Sequence, residues 1–288
     1  MSSQLPLVSV IIVNWNTRDL LDDCLTSVEA QLADTPHEAI VVDNASTDGS
    51  VDLVQARFPQ ARLVINAENR GFGCASNQGM EIGRGHLFLL LNSDARLPDK
   101  SIGSLCELMQ RDPTVGVAGP RLEDATGKLQ PSAYRFGSIS RLALEELGLY
   151  KLLSREHTAN LLLGGYWSHD SERATDWIVG ACMLVRAEVF RATGGFDRSI
   201  FLYGEEEEWC GRIADAGWRI VYSPSARVTH LGHQTTHRFF GETSRIERCL
   251  EASDRLLARH SGLAGTVVGP AVRVVGSFLK LAKVSAAR

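Results

Sequence analysis

The feature that most constrains this chain is a series of short apolar runs, each ending on an amide or a carboxylate. Val8–Val13 leads into Asn14, Ala39–Val42 into Asp43, Leu63–Ile65 into Asn66, and Leu87–Leu91 into Asn92. Runs this short and continuous read as strands buried on both faces. Helical periodicity lies between them. Leu20, Leu21, Cys24, Leu25 and Val28 share one face behind Thr17 as N-cap, and Val51, Leu53, Val54 and Phe58 follow the polar loop Asp43–Gly49. A further helix is expected from about Lys100 to Arg111, and a short strand at Val115–Ala118. Alternation of this kind predicts an α/β fold with a Rossmann-like, mostly parallel central sheet flanked by helices. Ligands of such sheets gather beyond the carboxyl ends of the strands, where the polar residues stand here.

After Pro120 the alternation loosens. Arg121–Arg135 and Ser154–Thr175 read as irregular, and an ordered block resumes over Asp176–His230. No linker separates the two parts, which favours one domain. With 44% hydrophobic and 22% charged residues the chain is neither disordered nor fibrous. Its 30 basic and 34 acidic residues leave a formal charge of −4, which gives no electrostatic case for binding nucleic acid. Cys24, Cys74, Cys106, Cys182, Cys210 and Cys249 are scattered, so free thiols in a reducing compartment are expected rather than a zinc ribbon or a disulfide scaffold. Val8–Val13 is too short to span a bilayer and lacks a basic leader, which points to a cytoplasmic protein.

Four clusters could carry chemistry. Asp94, in Asn92-Ser93-Asp94 directly after an apolar run, is expected in solvent at the sheet edge, where it could hold Mg²⁺ or Mn²⁺ or simply make a turn. Glu205-Glu206-Glu207-Glu208 opens a helix. Acids there complement the helix dipole and Glu208 can pair with Arg212, yet one shielded carboxylate could also act as a general base. His230, His233 and His237 lack the spacing of a zinc site, so one of them joining a phosphate-bound metal is the better reading. Gly71-Phe72-Gly73-Cys74-Ala75-Ser76 approximates a dinucleotide fingerprint, but its third small position is serine and it stands too far from the preceding strand. That segment keeps an NAD(P)-dependent oxidoreductase open, beside a nucleotidyltransferase and a non-catalytic nucleotide-sugar-binding module.

Taken in order, these pieces resemble the family 2 glycosyltransferases of the GT-A fold over about Val8 to Thr236. The resemblance is carried by Val8–Asn16, Val42–Ser50, Asn69–Gly73 with Asn77, and Leu91–Asp94. Gly180–Arg186, Gly194–Asp197, the acidic helix and Val228-Thr229-His230 complete it. Pro131-Ser132-Ala133 and Asp176-Trp177 are similar to the bacterial rhamnosyltransferases that use dTDP-rhamnose. The resemblance implies a GT-A domain over residues 1–240, with about 1–120 as the nucleotide-sugar half and 121–240 as the acceptor half, and a helical tail over 241–288.

It also implies roles. Asp43 would bond the pyrimidine, with Val13, Asn14 and Asn16 completing the base pocket, while Gly71, Gly73, Asn77 and Ser93 approach the nucleotide. Asp94 matches the last acid of a D-x-D-type motif and would hold Mg²⁺ or Mn²⁺ with His230; the first acid is replaced by Asn92. Trp177 and Gly180 would face the acceptor. Family members usually carry Glu-Asp where this chain has Glu205-Glu206, so Glu206 would be the base, with Glu205 the alternative. The implied reaction is inverting transfer of a sugar from a dTDP- or UDP-sugar to a hydroxyl of a cell-wall or O-antigen glycan, or of a polyprenyl-diphosphate-linked acceptor. Finally, Arg255–Arg288 holds six basic residues and no acid, interleaved with Val267, Val268, Val272, Val274, Val275, Phe278, Leu279 and Leu281. An amphipathic helix over about Gly265–Arg288, lying on the inner face of the cell membrane, is expected, against the alternatives of a tail packed on the domain or a dimer contact.

Overall fold

In the computed structural model, which describes residues 8–98, 102–232 and 234–286 but not the side chains of 234–246 and 279–286, the apolar runs form adjacent strands. β1 (Val8–Asn14), α1 (Arg18–Gln31), β2 (His37–Asp43), α2 (Ser50–Arg57), β3 (Arg62–Ile65), α3 (Phe72–Ile82) and β4 (Leu87–Asn92) alternate as expected. The two-residue β5 (Ala95–Arg96) precedes α4 (Gly103–Arg111) and β6 (Val115–Glu123). Lys100, the expected start of α4, lies outside the described residues.

The second half holds β7 (Leu129–Gln130), β8 (Ala133–Tyr134), α5 (Ile139–Glu146), α6 (Arg155–Leu162), β9 (Arg173–Thr175), β10 (Trp177–Ile178) and β11 (Cys182–Arg186). It closes with α7 (Ala187–Thr193), α8 (Glu205–Asp215), β12 (Arg219–His230) and α9 (Gln234–Ala286). One sheet runs through both halves in the order β3-β2-β1-β4-β11-β6-β12-β5. β1 is parallel to β2 and β4, and β12 to β6; β11 lies between β4 and β6, antiparallel to both.

Alternate side chains serve two apolar layers. Val10 and Ile12 of β1 pack with Leu21, Leu25 and Leu105 of α1 and α4, whereas Ile11 packs in the layer of Met80, Trp209 and Ile213 from α3 and α8. Each such large side chain, wholly buried, stabilises the fold by roughly 1.5–3 kcal/mol.

Three expectations need correction. β6 was expected to stop at Ala118 but runs to Glu123, because β12 is irregular opposite Pro120, between Ser223 and Arg227, so the missing proline N–H does not end the ladder. The stretch Ser154–Thr175, expected to be irregular, contains α6, capped by Ser154, whose hydroxyl accepts the N–H of His157. Only Thr158 and Leu162 of that helix are buried, too few to show a period. Thr17 does precede α1 but makes no side-chain cap; its hydroxyl turns instead to Asn14 and Ser93. The six cysteines are free thiols, four of them buried.

The tail is not a straight rod. Within α9, Gly262 adopts φ +58°, and Arg273 Nε reaches Asp254 Oδ1 at 2.9 Å. Nineteen helical residues would span about 28 Å if straight. The chain therefore folds back at Gly262 into two helical arms. The first arm buries Ala252, Leu256 and Leu257, and α9 packs on α5.

Candidate active site

The carboxyl ends of the parallel strands open on a cleft lined by Val13, Trp15, Asn44, Ser93, Asp94 and His230 on one side. Gly71, Gly180, Tyr203, Glu205 and Glu206 line the other. Its open volume is about 1040 Å³, solvent mouth included.

Asp94 follows β4 directly. It is not in solvent as expected but 6% exposed, because β5 turns back to pair with β12 and sets His230 opposite Ala95. His230 Nε2 lies 3.3 Å from Asp94 Oδ1 and 3.4 Å from Asn92 Nδ2. The other ring nitrogen, Nδ1, stands 2.8 Å from Gln130 Oε1, and Gln130 Nε2 donates to the His230 carbonyl at 2.8 Å. An amide oxygen accepts only, so Nδ1 carries a proton and Nε2 is the nitrogen turned toward Asp94. This is how a ligating histidine is oriented by its outer partner. One carboxylate and one imidazole facing each other fit a divalent cation. Among the described residues, no group of three or more His, Cys, Asp or Glu side chains gathers, so any cation held here would take its remaining ligands from substrate or water. His233 lies outside the described residues, as does the side chain of His237.

Across the cleft, α8 begins after Gly204, and its first turn carries the two carboxyl groups. Glu206 is partly buried and accepts the Gly180 N–H on Oε1 at 2.9 Å. Burial raises its pKa, opposed by the backbone N–H groups of Glu206 and Gly180. Glu205 is 2% exposed and its Oε2 has no hydrogen-bond partner. Burial, with the neighbouring Glu206 charge, pushes Glu205 well above the ordinary glutamate range. Burial thus disfavours the charged form of both, more strongly at Glu205, while the Gly180 N–H aims the Glu206 carboxylate. Glu207 accepts from Gly137 N at 3.0 Å, and Glu208 pairs with Arg212 at 2.8 Å and Arg259 at 2.7 Å. Both point away from the cleft's reacting groups into structural contacts.

Several predicted residues lie behind the cleft rather than on it. Asp43 is 1% exposed and its oxygens accept from Asn14 Nδ2 at 2.9 Å and Ser46 N at 2.8 Å. Asn14 Oδ1 in turn takes the Thr17 hydroxyl, which meets Ser93 Oγ at 2.8 Å. This buried chain ties the ends of β1, β2 and β4 together. Asn16, at φ +55°, accepts the Thr47 N–H and so locks the neighbouring turn. Asn77 was expected near the nucleotide; instead it is 1% exposed and spends both amide atoms on the backbone of Phe196. Trp177 was expected on the acceptor; its indole donates to Arg135 O and its ring stacks on Tyr134 at 4.6 Å, outside the cleft lining. Gly73 packs against Phe196 and Glu205.

Gly71, by contrast, is on the cleft. It has φ +81°, and a Cβ there would collide with the Phe201 carbonyl. Its own carbonyl accepts from Asn44 Nδ2 at 3.2 Å, and Asn44 Oδ1 accepts from Asn66 at 2.8 Å. Gln130 and Asn44 were missed as candidate site residues, whereas Trp15 lies within the Val13–Asn16 turn expected to complete the base pocket. Asn44 had a signal, since it adjoins a strand end; Gln130 had none, being brought to His230 across 100 residues.

Comparison with known proteins agrees with this geometry. The family model described as glycosyl transferase family 2 matches residues 9–159. An N-acetylglucosaminyl-diphospho-decaprenol L-rhamnosyltransferase of Mycobacterium tuberculosis is 30% identical over 246 residues, 81% of this chain and 78% of that protein. A mannosyltransferase from Pyrobaculum calidifontis, solved with GDP-Man and Mn²⁺, superposes with a TM-score of 0.61 at 19% identity, covering 99% of this chain and 77% of the other. GalNAc-T7, solved with UDP, GalNAc and Mn²⁺, gives 0.60 at 16% identity over 87% of this chain and 48% of the other. These neighbours share the GT-A fold. The order of motifs, the sheet that brings them to one cleft and the matches together decide against the oxidoreductase reading: the chain belongs to glycosyl transferase family 2.

Proposed function

We propose that the protein transfers rhamnose, with inversion, from dTDP-rhamnose to a hydroxyl of a polyprenyl-diphosphate-linked glycan. The observation that carries the transfer chemistry is the opposition, across one cleft, of the Asp94–His230 pair and the Gly180-seated Glu206. The sugar and the lipid-linked acceptor are supported by the activity of the mycobacterial relative.

Asp94 Oδ1 and His230 Nε2 would hold Mn²⁺ or Mg²⁺, and the mixed oxygen and nitrogen donor set favours Mn²⁺. When bound, the cation supplies Lewis-acid neutralisation of the departing nucleoside diphosphate. Val13 and Trp15 supply an apolar wall for the base. Glu206 accepts the proton of the acceptor hydroxyl. The freed oxygen forms its bond to the anomeric carbon as the bond to the diphosphate breaks on the far side. A single base and in-line displacement invert the centre, with no glycosyl-enzyme such as a retaining two-carboxylate site forms. Burial and the neighbouring Glu206 disfavour a second negative charge on Glu205.

A donor screen scored by release of nucleoside diphosphate tests the reading. dTDP-rhamnose should outperform UDP- and GDP-sugars, and dTDP should raise the melting temperature only when Mn²⁺ or Mg²⁺ is present. Asp94→Asn should abolish that metal-dependent protection; protection that survives the substitution places the cation elsewhere.

A further inference from the structure

The second arm of α9 packs with its surfaces reversed. At about 100° per residue, Gly265, Gly269 and Gly276 share one face, and that face is the buried one. Gly269 stands against Leu257, and a Cβ on Gly276 would come within 2.8 Å of Glu146 of α5. The large apolar residues point the other way. Leu263 is 86% exposed, Val267 68%, Val274 54%, Val275 51% and Phe278 68%. A terminal helix docked only to cover the domain would bury those side chains and expose the glycines. Leu263, Val267, Val274 and Phe278 recur at helical spacing along one stripe about 22 Å long.

We infer that this stripe is a docking surface for an anionic lipid bilayer. The charge of this arm favours a membrane over a second copy of the chain. From Leu263 to Arg288 there are four basic residues and no acidic one, within a protein of formal charge −4. A symmetric pairing of this arm with itself would bring no acid to its basic residues, whereas a bilayer offers acyl chains to the stripe and anionic headgroups to the end that carries Lys280 and Lys283. Arg273 is not free for lipid: Asp254 and Ser253 hold it, so it braces the hairpin and presents the stripe outward. Next to α5, on which α9 packs, the turn at Leu149–Leu152 adds exposed Leu149 and Leu152 with Lys151 between them. Among the described residues no helix is long and apolar enough to cross a membrane, so the contact is one of lying on the surface.

The test is co-sedimentation of the full chain with vesicles of phosphatidylglycerol or of phosphatidylcholine, at low and high salt. Binding should favour phosphatidylglycerol and weaken with salt. Val267→Ser/Val274→Ser/Phe278→Ser should lower the bound fraction roughly tenfold or more, with the circular dichroism spectrum and the dTDP-induced thermal shift unchanged. These residues are exposed, so the variant keeps its core. Equal vesicle binding by variant and wild type would overturn the proposal, and so would a wild type that ignores vesicles but forms a dimer which the variant loses. Neither outcome depends on which sugar is transferred.

Discussion

Glu205 and Glu206 differ by one position; burial raises the pKa of both, yet their surroundings differ. Glu206 has a donor, a view of the cleft and partial exposure; Glu205 has an orphaned oxygen and almost no solvent. Glu206→Gln should therefore lower turnover by about 10²–10⁴ while nucleotide binding persists, and Glu205→Gln should leave measurable turnover. The reverse result would make Glu205 the base. Glu205 also sets a pH dependence of stability. Its folded pKa lies above its ordinary value of 4.5, so the folded protein binds a proton that the unfolded chain gives up. Stability from this group is present below that ordinary value and declines as pH climbs toward the folded value. Glu205→Gln should thus gain melting temperature over wild type as pH rises from 5 to 8, roughly 2–4 °C for each kcal/mol recovered. A constant difference across that range would mean that Glu205 is ionised in the fold. At this scale the sequence was informative wherever a residue sits on a strand end or opens a helix, as Asp94 and Glu206 do. It misled at Asn77 and Trp177, since whether an amide or indole faces ligand or backbone depends on Phe196 and Arg135, 119 and 42 residues distant.

The element that builds the Glu206 side of the candidate site is β11. Because it runs antiparallel between β4 and β6, the loop before it, Val179–Ala181, arrives at the same sheet edge as the ends of the parallel strands. Asn92 N donates to Ala181 O at 3.0 Å and fixes that loop beside Asp94. Alternation of apolar runs announced the parallel strands, but a four-residue apolar run before Arg186 carries no sign of its direction, so this inversion was not legible. Gly180 is the contact point: a Cβ there would lie 2.7 Å from Glu206 Oε1 and 3.0 Å from Phe72. Gly180→Ala should push the carboxylate aside and lower kcat by about a hundredfold, with the KM for donor little changed. Should kcat stay within a factor of two, the Gly180 seat does not aim the base.

At the scale of the whole molecule, a strand from late in the chain closes the sheet of the early part. Between Asn92, where β4 ends, and Arg186, where β11 ends, the growing chain exposes an unpaired edge of β4. β6 is made in the meantime but cannot join, since its neighbours β11 and β12 both come later. The stretch matched by the family model, residues 9–159, lacks β11 and β12 and so leaves β4 and β6 without these neighbours in the sheet. A fragment ending at residue 160 should show no cooperative urea transition, whereas residues 1–262 should show one; a sharp transition in the short fragment would refute this order of assembly. During synthesis the open edge persists for roughly 5–20 s, far longer than collapse or hairpin formation takes. For that interval an apolar strand meant for the middle of a sheet stands at its margin, and the nascent chain depends on whatever shields it until residues 182–186 emerge.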